Sequence, residues 1–376
     1  MTGTAENRDG GERHLRISAC IIMRDAAEDI GACLGSMQGE VDEFVVVDTG
    51  SVDDSVEIAG KIVGKVYHFP WQEDFSAAKN YAIGKATGDW IVFPDADEYF
   101  TEATRGNLRA ILSRWPLEEA PDTMEVLRHN IRTDTGEKLN ENYAERIFRR
   151  DPALRYHDAI HEYLAYDDGR KRQCLRLPPE DLLIFHTGYS PERMAGKTAR
   201  NLRMLEDIRA KGLEKKYLYY YLAGLYMHEG EYGKAAEAAW ASIEHGERPD
   251  EYFFDPYRLC YQAYLQMEDE EGIFRILRRG MEDWPRWPDF FVVYAARMKK
   301  KGEQEEALKS FRRALRNDRD FARNFPGQRN DIRKYLPAIY KEMAELWEAR
   351  GNVAEARRCR RKAEKAERES SSAGGA

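Results

Sequence analysis

Between residues 17 and 93 short apolar runs alternate with helix-patterned stretches, and this alternation restricts the fold more than any other feature of the chain. The runs 17–23, 43–47, 65–69 and 89–93 are strand candidates. Between them, 27–37, a segment N-capped by Asp53, and 76–86 carry apolar residues at helical spacing. Four alternations in so short a span predict a mostly parallel sheet covered by helices. Ligands of such sheets bind beyond the carboxyl ends of the strands. Asp48 closes the second run and Asp95-Ala96-Asp97 follows the fourth, so their carboxylates should gather along one edge.

The chain changes character near residue 190, after which almost everything reads as helix. Ala223, Tyr226, Gly230, Tyr232 and Ala235 begin a spacing that returns at Ala295, Met298, Gly302, Ala307, Phe311 and Ala314. It returns again at Ala344, Trp347, Gly351, Val353, Ala356 and Ala363, with a degenerate copy expected around 257–280. Small residues for close helix contact and glycine for the turn give the spacing of tetratricopeptide helix pairs. Such stacks hold extended peptides or pair with a second copy, so a homodimer through the repeats is one expectation. The expected divisions are a disordered N-terminus (1–14), an α/β domain (15–190), a helical repeat domain (191–368) and a disordered tail (369–376).

Composition closes off other classes. Lys and Arg number 59 against 67 Asp and Glu, a net charge of -8, which argues against nonspecific nucleic-acid binding. No apolar run approaches the roughly 20 residues of a membrane span, and the polar first residues lack a signal-peptide core, so a cytoplasmic protein is expected. Five scattered cysteines without a CxxC support neither a zinc ribbon nor a disulfide framework. Neither a GxGxxG nor a GxxxxGK[ST] occurs, so phosphate binding would fall to a metal and to cations, with Lys79, Arg146, Arg149 and Arg150 available.

Asp95-Ala96-Asp97 shares its DxD pattern with Asp318-Arg319-Asp320, which is expected to be a solvated turn. The first differs by following a buried strand. Two carboxylates at a ligand edge repel unless a cation neutralises them, and hard oxygen donors suit Mn²⁺ or Mg²⁺. Asp48, beside the turn glycine Gly50, can accept hydrogen bonds from a base or a ribose.

Residues 17–100 resemble a family 2 glycosyltransferase of the GT-A fold, a Rossmann-like α/β class, in the subgroup that carries C-terminal tetratricopeptide repeats. The resemblance rests on Val45-Val46-Val47-Asp48-Thr49-Gly50-Ser51-Val52-Asp53, Phe69-Pro70-Trp71 and Asp74-Phe75-Ser76-Ala77-Ala78-Lys79-Asn80. It includes the run from Ala86 to Glu98, and extends more weakly through Arg146-Ile147-Phe148-Arg149, Ile160-His161-Glu162 and His186-Thr187-Gly188-Tyr189. It implies a nucleotide-sugar donor and inverting transfer. Asp48 would hold the nucleoside, Asp97 the metal, and Asp95 the ribose or the metal's waters, as donor or metal ligand. Lys79 would meet the uracil or the phosphates, with Arg146 also on the donor. Glu162 is the expected base, His161 its rival, and His186 a further metal or diphosphate ligand, while His157 and His129 are read as structural.

Two positions depart from the family pattern. Arg24-Asp25-Ala26 stands where Lys-Asn-Glu is common, and Pro94 precedes the DxD. The architecture is similar to sublancin-type S-glycosyltransferases, which implies UDP-glucose or a related UDP-hexose as donor and a peptide or protein Cys or Ser as acceptor. Transfer to a lipopolysaccharide core or another glycan is the alternative. A non-catalytic repeat protein with a degenerate transferase domain is the second alternative.

Overall fold

The computed structural model describes residues 15–188, 191–213, 215, 217–247, 254–325 and 332–373, so the segment 1–14 lies outside it. Two compact units part between Leu213 and Glu214.

In the first unit β1 (Ile17–Met23), β2 (Glu43–Asp48), β3 (Val66–His68) and β4 (Trp90–Val92) alternate with α1 (Ile30–Met37), α2 (Ser55–Val63) and α3 (Phe75–Ile83). The four strands pair in parallel in the order β3-β2-β1-β4. Next come β5 (Glu98–Phe100), α4 (Leu108–Leu112), β6 (Thr123–Ile131), β7 (Lys138–Arg149), β8 (Leu154–His157), β9 (Tyr163–Tyr166), β10 (Cys174–Arg176), β11 (Leu183–His186) and α5 (Pro191–Ala210). The sheet runs on as β4-β7-β6-β11-β5, with β10 also against β6, while β8 and β9 pair separately. Antiparallel pairings of β7 with β4 and β6, and of β5 with β11, make the sheet mixed but mostly parallel, the expected class.

Both faces of the sheet are buried. Ala19, Ile21, Met23, Val46, Trp90 and Val92 pack with Ile30, Leu34 and Met37 of α1 on one side. Cys20, Val45, Val47, Ile91 and Phe93 pack with Ala82 of α3 and with Tyr156 on the other. Period-2 alternation between two apolar layers explains why these strands read as unbroken apolar runs. Pro94 lies beyond the end of β4, where no ladder donor is needed.

Some boundaries move. Asp54, not Asp53, precedes α2; the Asp53 carboxylate accepts from Ser55 N at 3.0 Å and from Ala27 N at 3.0 Å. That bond, with Ala26 N on Ser55 Oγ at 2.7 Å, fixes residues 26–27 to the neighbouring loop, and α1 starts only at Ile30. Helix α5 belongs to the first unit, so the packing boundary falls past residue 190.

The second unit contains the hairpins α6 (Leu218–His228)/α7 (Tyr232–Glu244), α8 (Asp255–Gln266)/α9 (Glu270–Asp283) and α10 (Pro288–Lys300)/α11 (Gln304–Arg319). The short α12 (Phe321–Asn324) and the pair α13 (Ile332–Ala349)/α14 (Val353–Ala373) follow. Helix α14 runs through Ala373 and so covers 369–373 of the expected tail, while 374–376 lie outside the described residues. The second DxD is the end of α11, with Asp320 paired to Arg323 at 3.2 Å.

Each of these hairpins turns in the same way. Gly230, Gly302 and Gly351 adopt φ of 75°, 83° and 73°. The residue after each returns its N–H to the carbonyl five residues back, at Tyr226, Met298 and Trp347, each at 2.9 Å. These are Schellman caps, and the apolar member of the repeat at its fourth position supplies the accepting carbonyl. In the degenerate copy Glu268 takes the glycine position at φ 56°, with Asp269 N on Tyr264 O at 3.0 Å. A side chain in this region is strained, so Glu268→Gly should stabilise the protein by about 0.5–1 kcal/mol, whereas Gly302→Ala should destabilise it by about 1 kcal/mol. Urea unfolding of the full chain followed by helical circular dichroism measures both; a lower midpoint for Glu268→Gly would contradict the assignment.

Candidate active site

Asp48 is the last residue of β2, in register with Met23 at the end of β1 and His68 at the end of β3. Its carboxylate accepts from Gly50 N at 3.1 Å and Ser51 N at 3.0 Å, with His68 Nδ1 at 3.3 Å. Gly50, at φ 107°, makes that tight turn possible. Burial works against the charge, but the hydrogen bonds from Ser51, Gly50 and His68 hold Asp48 below the ordinary carboxylate range. The departing residue Asp25 ties the end of β1 to this turn: its N–H meets Ser51 Oγ at 3.0 Å and its carboxylate takes Val52 N at 2.8 Å.

The motif before Lys79 also has a physical reading. Asp74 caps α3 by accepting from Ala77 N at 2.8 Å. Phe75 N bonds Ala159 O at 2.8 Å, Ser76 Oγ bonds Asp158 O at 2.5 Å, and Asn80 exchanges two bonds with the Tyr156 backbone. The start of α3 is thus stitched to the loop that carries Glu162. Lys79, buried, spans the two segments, 2.7 Å from Glu162 Oε1 and 3.7 Å from Asp95 Oδ1. Burial opposes its charge, and Glu162 and Asp95 more than restore it, so its pKa is raised.

Glu98, directly after the DxD, is fully buried. It accepts from Arg146 Nε and Nη2, each at 2.7 Å, from Arg128 Nη1 at 2.8 Å and from Asp95 N at 3.1 Å. Arg146 also reaches Asp95 Oδ2 at 2.5 Å. Burial again opposes the Asp95 charge, but Arg146 and then Lys79 bring its pKa down to about 2.

Asp97 faces a different set, with Oδ1 3.4 Å from His186 Nε2 and Oδ2 2.9 Å from Lys197 Nζ of α5. Despite burial, these two hold its carboxyl far below the usual range. A relay orients His186. Arg128, which can only donate, bonds Asn142 Oδ1 from Nε at 3.3 Å, and Asn130 Nδ2 donates to that same oxygen at 3.2 Å. Asn130 Oδ1 is left to accept from His186 Nδ1 at 2.7 Å, which turns Nε2 toward Asp97.

Gly188 borders the same space. A methyl group there would collide with Asp97 Oδ2, His186 Nε2 and Lys197 Nζ, so glycine leaves a cradle of about one atom between these groups. A carboxylate and an imidazole line it, donors suited to a divalent ion, together with the Lys197 ammonium that an ion would have to displace. Among the described residues no three His, Cys, Asp or Glu side chains converge on one point. Asp95 in particular faces Arg146 and Lys79, and does not join Asp97 and His186.

The structure therefore forms two groups, Asp95 with Lys79, Arg146 and Glu162, and Asp97 with His186 and Lys197. Lys79 and Arg146 are bound to carboxylates. His161 is exposed, at φ 52°. Arg149 and Arg150 serve the scaffold, on Asp122 and on Gly88 O respectively. His129 and His157 pair with Glu141 and Asp167. Sequence reasoning passed over Glu98, Arg128, Asn130, Gly188 and Lys197. Only Glu98, adjoining the DxD, carried a signal that could have been read.

Residues 18–114 match the family described as Glycosyl transferase family 2. The chain is 35% identical over 272 residues to a TPR repeat-containing protein of Synechococcus elongatus, spanning 70% of this chain and 64% of that one. It is 26% identical over 211 residues to the SPbeta prophage-derived glycosyltransferase SunS of Bacillus subtilis, 54% of this chain and 48% of the relative. The chain thus spans about half to two thirds of the length of these relatives. Among solved structures, S. aureus TarS 1-349 in complex with UDP-GlcNAc superposes at a TM-score of 0.41 and 15% identity, over 72% of this chain and 92% of that one. A homodimer through the helical unit finds no support among these relatives, and no helix among the described residues is long and apolar enough to cross a membrane. Residues 18–114 of this chain thus match the Glycosyl transferase family 2 model, and the described residues of the second unit form helical hairpins.

Proposed function

We propose that the protein is an inverting, divalent-metal-dependent glycosyltransferase acting in the cytoplasm on a nucleoside diphosphate sugar, with a UDP-hexose such as UDP-glucose as donor. The observation that carries this reading is the gathering, at the carboxyl edge of one sheet, of the Asp48 carboxylate, a DxD and an acid held by a buried lysine. Asp48 binds the nucleoside. Asp97 and His186 hold the ion beside Gly188, and Mn²⁺ or Mg²⁺ bound there supplies Lewis acidity at the diphosphate. Asp95 lies on the ribose side, fixed by Arg146.

Glu162 is the base. Its contact with Lys79, 2.7 Å from Oε1, orients it and ties it to the DxD through Asp95. It takes the proton of the acceptor hydroxyl or thiol as that atom bonds the anomeric carbon. The bond from that carbon to the diphosphate oxygen breaks on the opposite face, its electron pair leaves with the diphosphate, and configuration inverts. The acceptor is a peptide or protein Cys or Ser, a reading supported by the sublancin-type resemblance and by a helical unit suited to extended chains. A glycan acceptor is the competing outcome.

Calorimetric titration of UDP- and GDP-sugars, with and without Mn²⁺, tests the donor site. Binding should require the metal and weaken at least about tenfold in Asp97→Asn. Absence of binding by any nucleotide sugar would return the protein to the non-catalytic reading. Glu162→Gln should keep donor affinity while transfer falls by about 10²–10⁴-fold, assayed against peptide and glycan acceptors in parallel. A Glu162→Gln enzyme of undiminished rate would remove Glu162 as the base. Gly188→Ala, which fills the cradle, should abolish the Mn²⁺ enhancement of nucleotide binding in a protein that thermal melting shows to be folded, and retained enhancement would place the ion elsewhere.

A further inference from the structure

Helix α5 presents two cations three residues apart, Lys197 and Arg200, hence on one face. Lys197 reaches Asp97 and lies 3.4 Å from Gly188 O. The Arg200 guanidinium is 4.9 Å from the ring centre of Phe75, the first residue of the helix that bears Lys79. Its Nε and Nη2 both donate to the single oxygen Oδ1 of Asn201, at 3.1 and 3.0 Å. Among the described residues no carboxylate lies within ion-pair distance of it. The other cations of the site are matched: Lys79 by Glu162 and Asp95, Arg146 by Asp95 and Glu98, Arg128 by Glu98.

The electrostatics agree. Burial pushes the Arg200 pKa down, with Glu73 and Glu162 pulling only partly against it, whereas burial at Arg146 is outweighed by Asp95 and Glu98 and its pKa rises. A half-buried guanidinium short of counter-charge, on the same helix face as a lysine at the metal carboxylate, is a site for an anion. Its planar fork suits two phosphate oxygens at once.

We propose that Arg200, with Lys197 beside it, binds the diphosphate of the donor and holds that group as it departs. This rests on the transferase reading and adds the diphosphate contacts that Lys79 and Arg146, already bound to carboxylates, do not provide. When the anomeric bond breaks, its electron pair stays on the β-phosphate oxygen and the diphosphate gains one negative charge. Fixed cations at that place favour the transition state over the ground state.

The test compares wild type, Arg200→Ala, Arg200→Lys and Lys197→Ala as full chains. UDP, GDP, CDP and the matching nucleosides are titrated calorimetrically in the presence of Mn²⁺. The diphosphate that wild type binds best should bind Arg200→Ala about 10–100-fold more weakly, with Arg200→Lys between them, Lys197→Ala also weakened and nucleoside affinity unchanged. Arg200→Gln, which keeps the contacts to Asn201 and Phe75, replaces the alanine variant if that one melts early. Diphosphate affinity equal to wild type, or equal losses for diphosphate and nucleoside, would overturn the proposal while leaving the transferase reading intact. A wild type that binds no nucleoside diphosphate would take down that reading first and this one with it.

Discussion

Glu98 is a carboxylate without exposed surface, and two chains of polar contacts start from it. Through Arg146 it reaches Asp95, Lys79 and Glu162; through Arg128 it reaches Asn142, Asn130, His186 and Asp97. A buried charge persists only when its lone pairs are satisfied, and losing one partner of such a pair costs about 3–5 kcal/mol. The network therefore has little freedom to rearrange. One carboxylate holds both the proposed base and the proposed metal ligands in place, which is the rigidity a transferase needs at the moment of reaction.

Charge balance decides what each group of the network can do. Asp95, Asp97, Glu98 and Glu162 face Lys79, Arg128, Arg146 and Lys197, so the network is close to neutral before any substrate arrives. Lys79, Arg128 and Arg146 are each held by carboxylates inside the network, which makes them poor anion sites. Asp97, whose cation comes from an adjacent helix, and Arg200, with no carboxylate at ion-pair distance among the described residues, are the groups left to respond to a metal nucleotide.

The α/β order was legible because strand and helix patterns are local. The apolar runs at 17–23, 43–47 and 89–93 lie on strands to within a residue, and Asp48 and the DxD follow the strand ends as expected. The helical repeats were legible for a similar reason, since a Schellman cap needs glycine, or a strained Glu268, at one fixed offset. Boundaries set by long-range bonds were not legible. Asp53 looked like a cap and instead receives Ala27 N, 26 residues away.

The site divides along the same line. Sequence by itself determined which carboxylates stand at the sheet edge, because a residue that ends a strand must lie there. It also pointed to Glu162, His186 and Lys79 through the family resemblance. Only the tertiary structure decided who pairs with whom. Asp95 meets Arg146 from 51 residues away, Asp97 meets Lys197 from 100 residues away, and His186 is oriented by Asn130 from 56 residues away. Periodicity and turn chemistry act over a few residues and leave their mark in the sequence. Buried charges choose partners by proximity after the chain has folded, and no short-range pattern records that choice.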